Sequence, residues 1–349
     1  MSYIQKMING KTLILRFSSL GDVVMTIPVI RSLETKHSEN KFIFVTRPKF
    51  KPFFSEFNNV EIFELDLEKR HKGFFGLFRL FLDLKKLKPK RIADLHSVLR
   101  TQFLSFLFRM FFIKVSVIDK KRKERKALTK NENKIFKPLT PIHYLYQEVF
   151  NKLGFSVDLT KDHIYPPSKI FNLNLESINI GSDKLVGIAP FAKHEAKMYP
   201  LDLMQKIVSY VQEKHTVFLF GFGKIEMETI KRWSNVFKNV YSCDDLDGFE
   251  NELALISNLD LMISMDSANG HIASIYNVPV ITLWGLTHPY TGFTTFNSDL
   301  KNQFCVDREK FPLVPNSIYG NKMIKGYENA MRTISIEEVL GRVNEILLN

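Results

Sequence analysis

The sequence predicts an α/β protein of two Rossmann-like halves facing a central cleft. Three observations carry this reading. Short apolar runs of strand character recur along the chain with segments of helical period between them, the pattern of βαβ units and parallel sheets. That pattern falters once, between Gly154 and Lys184, where Pro166-Pro167 and a polar Asn/Ser stretch interrupt it, and then resumes. A length of 349 residues also exceeds what one ordinary core uses, so two domains are expected.

In the first half the strand-like runs are Leu13–Leu15, Phe42–Val45, Ile62–Leu65, Arg91–Asp94 and Lys114–Ile118, with helical period over Val29–Lys36 and Leu77–Leu87. In the second half they are Leu185–Ala189, Thr216–Phe220, Leu259–Ser264 and Val280–Leu283. The chain closes on Ser335-Ile336-Glu337-Glu338-Val339-Leu340, which reads as a capped amphipathic helix with Ser335 as N-cap and Glu338 three residues on. The expected boundaries are 1–165 for the first half, 166–184 for a linker, 185–334 for the second half and 335–349 for a C-terminal helix free to pack back on the first half. The sequence shows no repeat at solenoid periods and no low-complexity tract.

Composition narrows the class. An apolar content of 45% is ordinary for a globular protein and argues against disorder. The two cysteines, Cys243 and Cys305, are far apart and lack metal-ligand spacing. A reducing compartment is therefore expected, without a disulfide framework or zinc site. The N-terminal segment lacks the long apolar stretch and cleavage site of a secretory signal, and no run of 18 apolar residues predicts a spanning helix.

Charge is uneven. Residues 69–137 hold 21 Lys and Arg against 5 Asp and Glu, while the whole chain is only +12, so the remainder is slightly acidic. Interleaved with these charges are the aromatic stretches Phe74–Leu82 and Phe103–Phe112. Basic residues beside bulky apolar ones suit an anionic bilayer surface, which is the reading adopted. Two core helices plus a solvated basic loop at Lys120–Lys126 is the alternative; nucleic acid, which such charge can also attract, is set aside.

The first chemical motif is Arg16-Phe17-Ser18-Ser19-Leu20-Gly21-Asp22-Val23-Val24, which follows the apolar run 12–15. It reads as a buried strand, a tight turn at Gly21 and a helix opening. The mouth of a first parallel strand is where open α/β sheets handle ligands. Asp22 there is a candidate general base, or a carboxylate that merely caps and charges the first helical turn.

Three motifs in the second half leave strands in the same way. Ala189–Pro200 runs into a helix near Leu201 and offers Lys193 and Lys197, which could neutralise a diphosphate or be surface charges. Leu219–Glu226 exits through Gly221-Phe222-Gly223, placing Glu226 where a carboxylate can hold ribose hydroxyls, although a lone G-x-G also fits a simple turn. Ser264-Met265-Asp266-Ser267-Ala268-Asn269-Gly270-His271 opens a helix whose first amides form an anion site. His271 beside Ile272 and Ala273 fits a hydrogen-bonded structural histidine better than a catalyst. Asp244-Asp245-Leu246-Asp247 precedes a helix-like segment and reads as a capped, solvated loop rather than a metal cluster.

Taken in order, Arg16–Asp22, Lys197–Pro200, Asp266–His271 and Gly285–Pro289 resemble glycosyltransferase family 9, the ADP-heptose:lipopolysaccharide heptosyltransferases, over nearly the full chain. The resemblance implies a type-B glycosyltransferase fold with the acceptor site in the N-terminal half and the nucleotide-sugar site in the C-terminal half. It implies inverting transfer with no metal and no cofactor beyond the ADP-heptose donor. Asp22 matches the family base, and Lys197 the lysine that holds the donor diphosphate. Ala192 and Lys193 match positions lining the nucleotide, and Glu226 the ribose-binding glutamate. Asp266, Ser267 and Ala268 match the start of the phosphate-binding helix, and His271 the histidine that follows.

Ser19 and Gly21, with Asp94, His96 and Arg100 at another strand end, are the candidate acceptor contacts. The acceptor implied is a lipid-anchored inner-core oligosaccharide, handled by a cytoplasmic enzyme peripheral to the inner membrane face. Two departures stand out. Ala268 replaces a usual glycine, and the cysteine-rich segment that some relatives carry near Tyr319-Gly320-Asn321-Lys322 is absent. Rivals are a relative using another nucleotide sugar, or a non-catalytic glycan- or membrane-binding protein. A dinucleotide oxidoreductase fits poorly, since Ser18-Ser19-Leu20-Gly21-Asp22 stands where G-x-G-x-x-G is needed.

Overall fold

Thr12–Leu15 forms the first strand, β1, buried at all four positions, in a computed structural model that describes residues 10–161, 184–246 and 248–348. There follow α1 (Leu20–Val24), α2 (Ile27–Lys36), β2 (Phe42–Thr46), β3 (Val60–Glu64), α3 (Gly73–Lys86), β4 (Arg91–Asp94), α4 (Leu99–Met110) and β5 (Lys114–Val117). The five strands form one parallel sheet in the order β3-β2-β1-β4-β5. Strands β1, β2 and β4 read as continuous buried runs because helices cover both faces of such a sheet. Beyond β5 the chain makes α5 (Arg122–Leu128) and α6 (Ile142–Leu153), and α6 returns to pack on β4, β5 and α2.

The second sheet is also parallel. Its elements are β6 (Leu185–Ala189), α7 (Leu201–Val211), β7 (Thr216–Leu219), α8 (Lys224–Val236), β8 (Val240–Ser242), α9 (Phe249–Asn258), β9 (Leu261–Met265), α10 (Ala268–Ile275), β10 (Val280–Trp284), β11 (Gln303–Cys305) and α11 (Ile336–Leu348). Strand order is β11-β10-β9-β6-β7-β8. In each sheet the chain builds outward in one direction, then crosses over its first strand and builds the other way. The reversal falls between β1 and β4 in the first sheet and between β6 and β9 in the second. Loops leaving such adjacent strands diverge and open a crevice at their carboxyl ends.

The described residues form two compact units: 10–120 with 142–161, and 121–141 with those from 184 onward. The first boundary therefore differs from the expected one, because 121–141 packs with the second unit. Leu139 N donates to Tyr290 O at 2.9 Å, and Lys134 Nζ donates to Leu313 O at 2.7 Å and Pro315 O at 2.6 Å. The Arg308 guanidinium lies 3.3 Å from the Phe136 ring centroid. The expected linker over 166–184 lies outside the described residues apart from Lys184, which pairs with Asp260.

In the C-terminal helix, Val339, Val343 and Leu347 join the core of the second unit that Met204, Ile207 and Ile281 form. Its start is as read from the sequence, with Glu338 N donating to Ser335 Oγ. The Asp244 loop is a short 3-10 turn whose Asp244 N donates to Ser242 Oγ, and Asp247 lies outside the described residues. Among the described residues, no helix is long and apolar enough to cross a membrane.

Candidate active site

In the first unit the β1–α1 turn brings Asp22 to the third position of α1, with Ser19 as N-cap. Ser19 N and Oγ donate to Asp22 Oδ2 at 3.2 and 2.7 Å. Arg16, the residue after β1, places Nη2 2.5 Å from the same oxygen, and its Nη1 donates to Leu95 O. All three donors converge on Oδ2, which leaves Oδ1 as the oxygen free of them. Burial pushes this carboxyl up, but the Arg16 charge and the Ser19 bonds outweigh it and hold Asp22 below the ordinary carboxylate range. Asp22 is thus an ionised, oriented carboxylate rather than one made strongly basic by burial. Tyr146 Oη, from α6, donates to Asp22 O and fixes the turn from behind.

Across the reversal, Asp94 ends β4. It is fully buried, accepting from His96 N and Ser97 N through Oδ1 and from Ser105 Oγ through Oδ2. These bonds make Asp94 hold the turn, including Ser97 at a left-handed φ of 46°, a conformation that costs about 1–3 kcal/mol outside glycine. His96 lies beside Asp22's turn, with Nδ1 accepting from Phe17 N at 3.4 Å. Burial, then the positive charges of Arg16 and Lys120, push the imidazole down to about 3. It is neutral at physiological pH, and the bond to Nδ1 assigns the proton to Nε2. Arg100 is exposed in the first turn of α4, and Ser19 is exposed on its own turn. Lys120, whose Nζ donates to Ser97 O, is a further cation here that the motif reading passed over.

In the second unit, Lys197 follows β6 and Asp266 follows β9, the two strands at the reversal. Nζ and Oδ2 are 2.7 Å apart, with the side chains only 14% and 6% exposed. Lys197 is therefore no loose surface charge, whereas Lys193 is exposed on the same loop. The lysine stem is confined by two glycines. At Gly285 a Cβ would overlap Ala196 O and meet Lys197 Cα, and at Gly320, with φ +68°, it would overlap Lys197 Cγ and Cδ. Leu286 N donates to Ala196 O at 2.7 Å and locks the loop. Neither glycine was singled out for this role by sequence reading, since each acts on a residue about a hundred positions away.

Ser267 occupies the N-cap position of α10 without a side-chain cap bond, and the first amides of the helix are left open at its N-terminus. The Ser267 and Thr287 hydroxyls are buried without a hydrogen-bond partner among the described residues, which suits a site that takes an oxygen-rich anion. His271 is buried in the first turns of α10. Glu226 accepts from Phe222 N at 2.8 Å through Oε2 and so shapes the turn that presents it. Ala192 is half-buried at the start of the Lys197 loop. The second unit thus gathers Lys197, Asp266, Ser267 and Ala268 at one pair of strand ends.

A family model for glycosyltransferase family 9 (heptosyltransferase) matches residues 94–317. The chain belongs to this family. The glycosyltransferase is 24% identical over 274 residues to lipooligosaccharide heptosyltransferase 2 of Campylobacter jejuni serotype O:6, spanning 77% of this chain and 79% of that one. It is 22% identical over 344 residues to lipopolysaccharide core heptosyltransferase OpsX of Haemophilus influenzae, spanning 95% and 96%. Among solved structures it resembles a family 9 glycosyltransferase of Veillonella parvula, with a TM-score of 0.74, 18% identity and 97% of each chain covered. It also resembles the E. coli heptosyltransferase WaaC with ADP, with a TM-score of 0.67, 17% identity and 96% and 99% covered. The glycosyltransferase therefore has the two-domain, type-B α/β fold of these enzymes. The family match takes in Lys197, Glu226, Asp266 and His271, and Asp22 lies N-terminal to it.

Proposed function

We propose that this glycosyltransferase moves a heptosyl group from ADP-heptose to an inner-core sugar of lipopolysaccharide, with inversion and without a metal ion. The observation that supports it most is the Lys197–Asp266 pair at the reversal of the second sheet, beside the start of α10 and two hydroxyls without a hydrogen-bond partner among the described residues. A buried lysine, helix amides and hydroxyls in one place support the reading of a diphosphate site. Relatives named as lipopolysaccharide and lipooligosaccharide heptosyltransferases supply the sugar and the acceptor class.

In the proposed step Asp22 Oδ1 takes the proton of the acceptor hydroxyl while that oxygen bonds to the anomeric carbon. The bond from that carbon to the diphosphate breaks on the opposite face, and ADP leaves with the electron pair. Lys197, Lys193 and the α10 amides stabilise the departing charge. Asp266 orients Lys197 rather than touching phosphate. Glu226 holds the ribose with its second oxygen, Ala192 lines the nucleotide, Ala268 lets it approach, and His271 steadies the helix. Ser19, Gly21, His96 Nε2–H and Arg100 contact the acceptor, whose lipid anchor lies in the inner face of the cytoplasmic membrane.

The test is ADP release by the wild type and Asp22→Asn with ADP-heptose and a Kdo–lipid A acceptor, with and without chelator. Acceptor-dependent release that survives chelation and collapses in Asp22→Asn supports the reading. Binding of ADP-heptose without release assigns another sugar or acceptor. Failure to bind any nucleotide overturns the donor half altogether.

A further inference from the structure

Helices α3 and α4 bury one face each in the first unit, through Leu77, Leu80, Phe81 and Leu84 on one and Leu104 and Phe108 on the other. Their other faces carry large apolar side chains in water. Phe75 is 85% exposed, Phe106 58% and Met110 61%, and Phe112, in the turn after α4, is fully exposed. The two helices run side by side: Phe74 meets the Phe103 ring at 5.6 Å, and Phe81 meets Phe111 at 5.6 Å. The exposed rings therefore belong to one surface. A soluble face of this length normally carries single apolar residues, not a run of them.

The exposed charges on these two helices are of one sign. Lys72, Arg79, Lys85, Lys86 and Arg109 are exposed on or beside the two helices, and Lys85 Nζ sits 3.4 Å from the Phe111 ring centroid. Asp83, the single acid on either helix, is taken up by Arg70 and Lys86. A second copy of the chain would bring this basic rim against itself. An anionic bilayer answers both features at once, accepting the rings into its acyl boundary and the cations among its headgroups.

We infer that the exposed face of α3 and α4, with Phe75, Phe78, Phe106 and Phe112 as its wedge, docks this protein on an anionic bilayer. The proposal deepens the acceptor half of the function above and rests on it only for why a lipid surface is useful. Binding here needs no substrate, so its failure and that of the transfer reaction are separable.

The experiment is co-sedimentation of the full chain with vesicles of phosphatidylethanolamine and phosphatidylglycerol, against phosphatidylcholine alone, for the wild type and Phe75→Ser/Phe112→Ser. Both positions are exposed, so the double variant keeps the core intact. The wild type is expected to bind the anionic vesicles, to release as salt is raised, and to lose at least about tenfold in partitioning in the double variant. A second reading uses Phe112→Trp, whose emission should shift to the blue with anionic vesicles; the two native tryptophans, Trp233 and Trp284, are buried in the other unit. ADP release on a detergent-dispersed acceptor should be unchanged in both variants. Equal binding by the double variant, equal binding to neutral vesicles, or no spectral shift overturns the assignment. So does a concentration-dependent dimer that the same substitutions abolish.

Discussion

Lys197 Nζ lies 2.7 Å from Asp266 Oδ2, so the loops leaving the two strands at the reversal of the second sheet are tied by a nearly buried ion pair. Removing either partner leaves the other without its counter-charge in a poorly hydrated place, which typically costs about 3–5 kcal/mol. Lys197→Met should therefore lower the unfolding free energy by about 3 kcal/mol and weaken ADP binding by at least about tenfold. Denaturant melts and calorimetric titration with ADP read the two effects separately. Unchanged ADP affinity in a folded variant would remove Lys197 from the donor site.

Gly320 gives the same site a steric test. Gly320→Ala puts a methyl group where the Lys197 stem runs and forces alanine into φ +68°. It should weaken ADP binding in the direction of Lys197→Met while retaining both charges. A variant that binds ADP like the wild type would show that the lysine has room to move.

Arg16 sets the protonation of the proposed base. It is the largest influence holding the Asp22 carboxyl down, and burial pushes the other way. Arg16→Leu removes that influence while burial and the Ser19 bonds remain, so the acid limb of the kcat/KM profile moves to higher pH. At neutral pH, Asp22→Asn should cost about 10²–10⁴-fold in turnover with ADP affinity retained. An acid limb that stays in place in Arg16→Leu argues that a group other than Asp22 is titrating.

Two histidines give the stability a pH dependence of definite sign. His96 is pushed down to about 3 and His288 to about 4, burial being the larger cause in each. An unfolded histidine titrates near 6.5, so between these values the unfolded chain binds protons that the folded one refuses. Stability from this source is complete above about pH 6.5 and falls as pH drops toward 4, by up to about 1.4 kcal/mol per pH unit for each residue. Thermal melts across that range should show the decline, and His96→Gln and His288→Gln should each make it shallower. A flat wild-type curve would contradict the burial argument for both.

What the sequence disclosed follows from how far each signal reaches along the chain. Strands buried on both faces appear as apolar runs, so β1, β2, β4, β6 and β9 were visible within a residue or two. The edge strands Val240–Ser242 and Gln303–Cys305 were not, because three residues of mixed character make no run. Asp22 and Lys197 were legible because each follows a strand within a short motif. The Arg16 contact lay inside the first motif but carried no role until geometry placed it on Oδ2. The part Asp94 plays in holding its turn was not legible, since its bonds to Ser97 and Ser105 leave no trace in spacing. Gly285 and Gly320 act through close approach to a distant loop, which no local pattern encodes.

The passage of residues 121–141 into the second unit has a consequence for how the chain matures. During synthesis this segment emerges before β6–β11 exist, so the carbonyls of Leu313 and Pro315 that later receive Lys134 are not yet made. Its eight lysines and arginines against two glutamates keep it hydrated through that wait. Meanwhile α6, which comes after it, already belongs to the earlier unit. One peptide-bond cut cannot divide this protein into its two units, and a gene fragment ending after β5 lacks a helix its sheet requires.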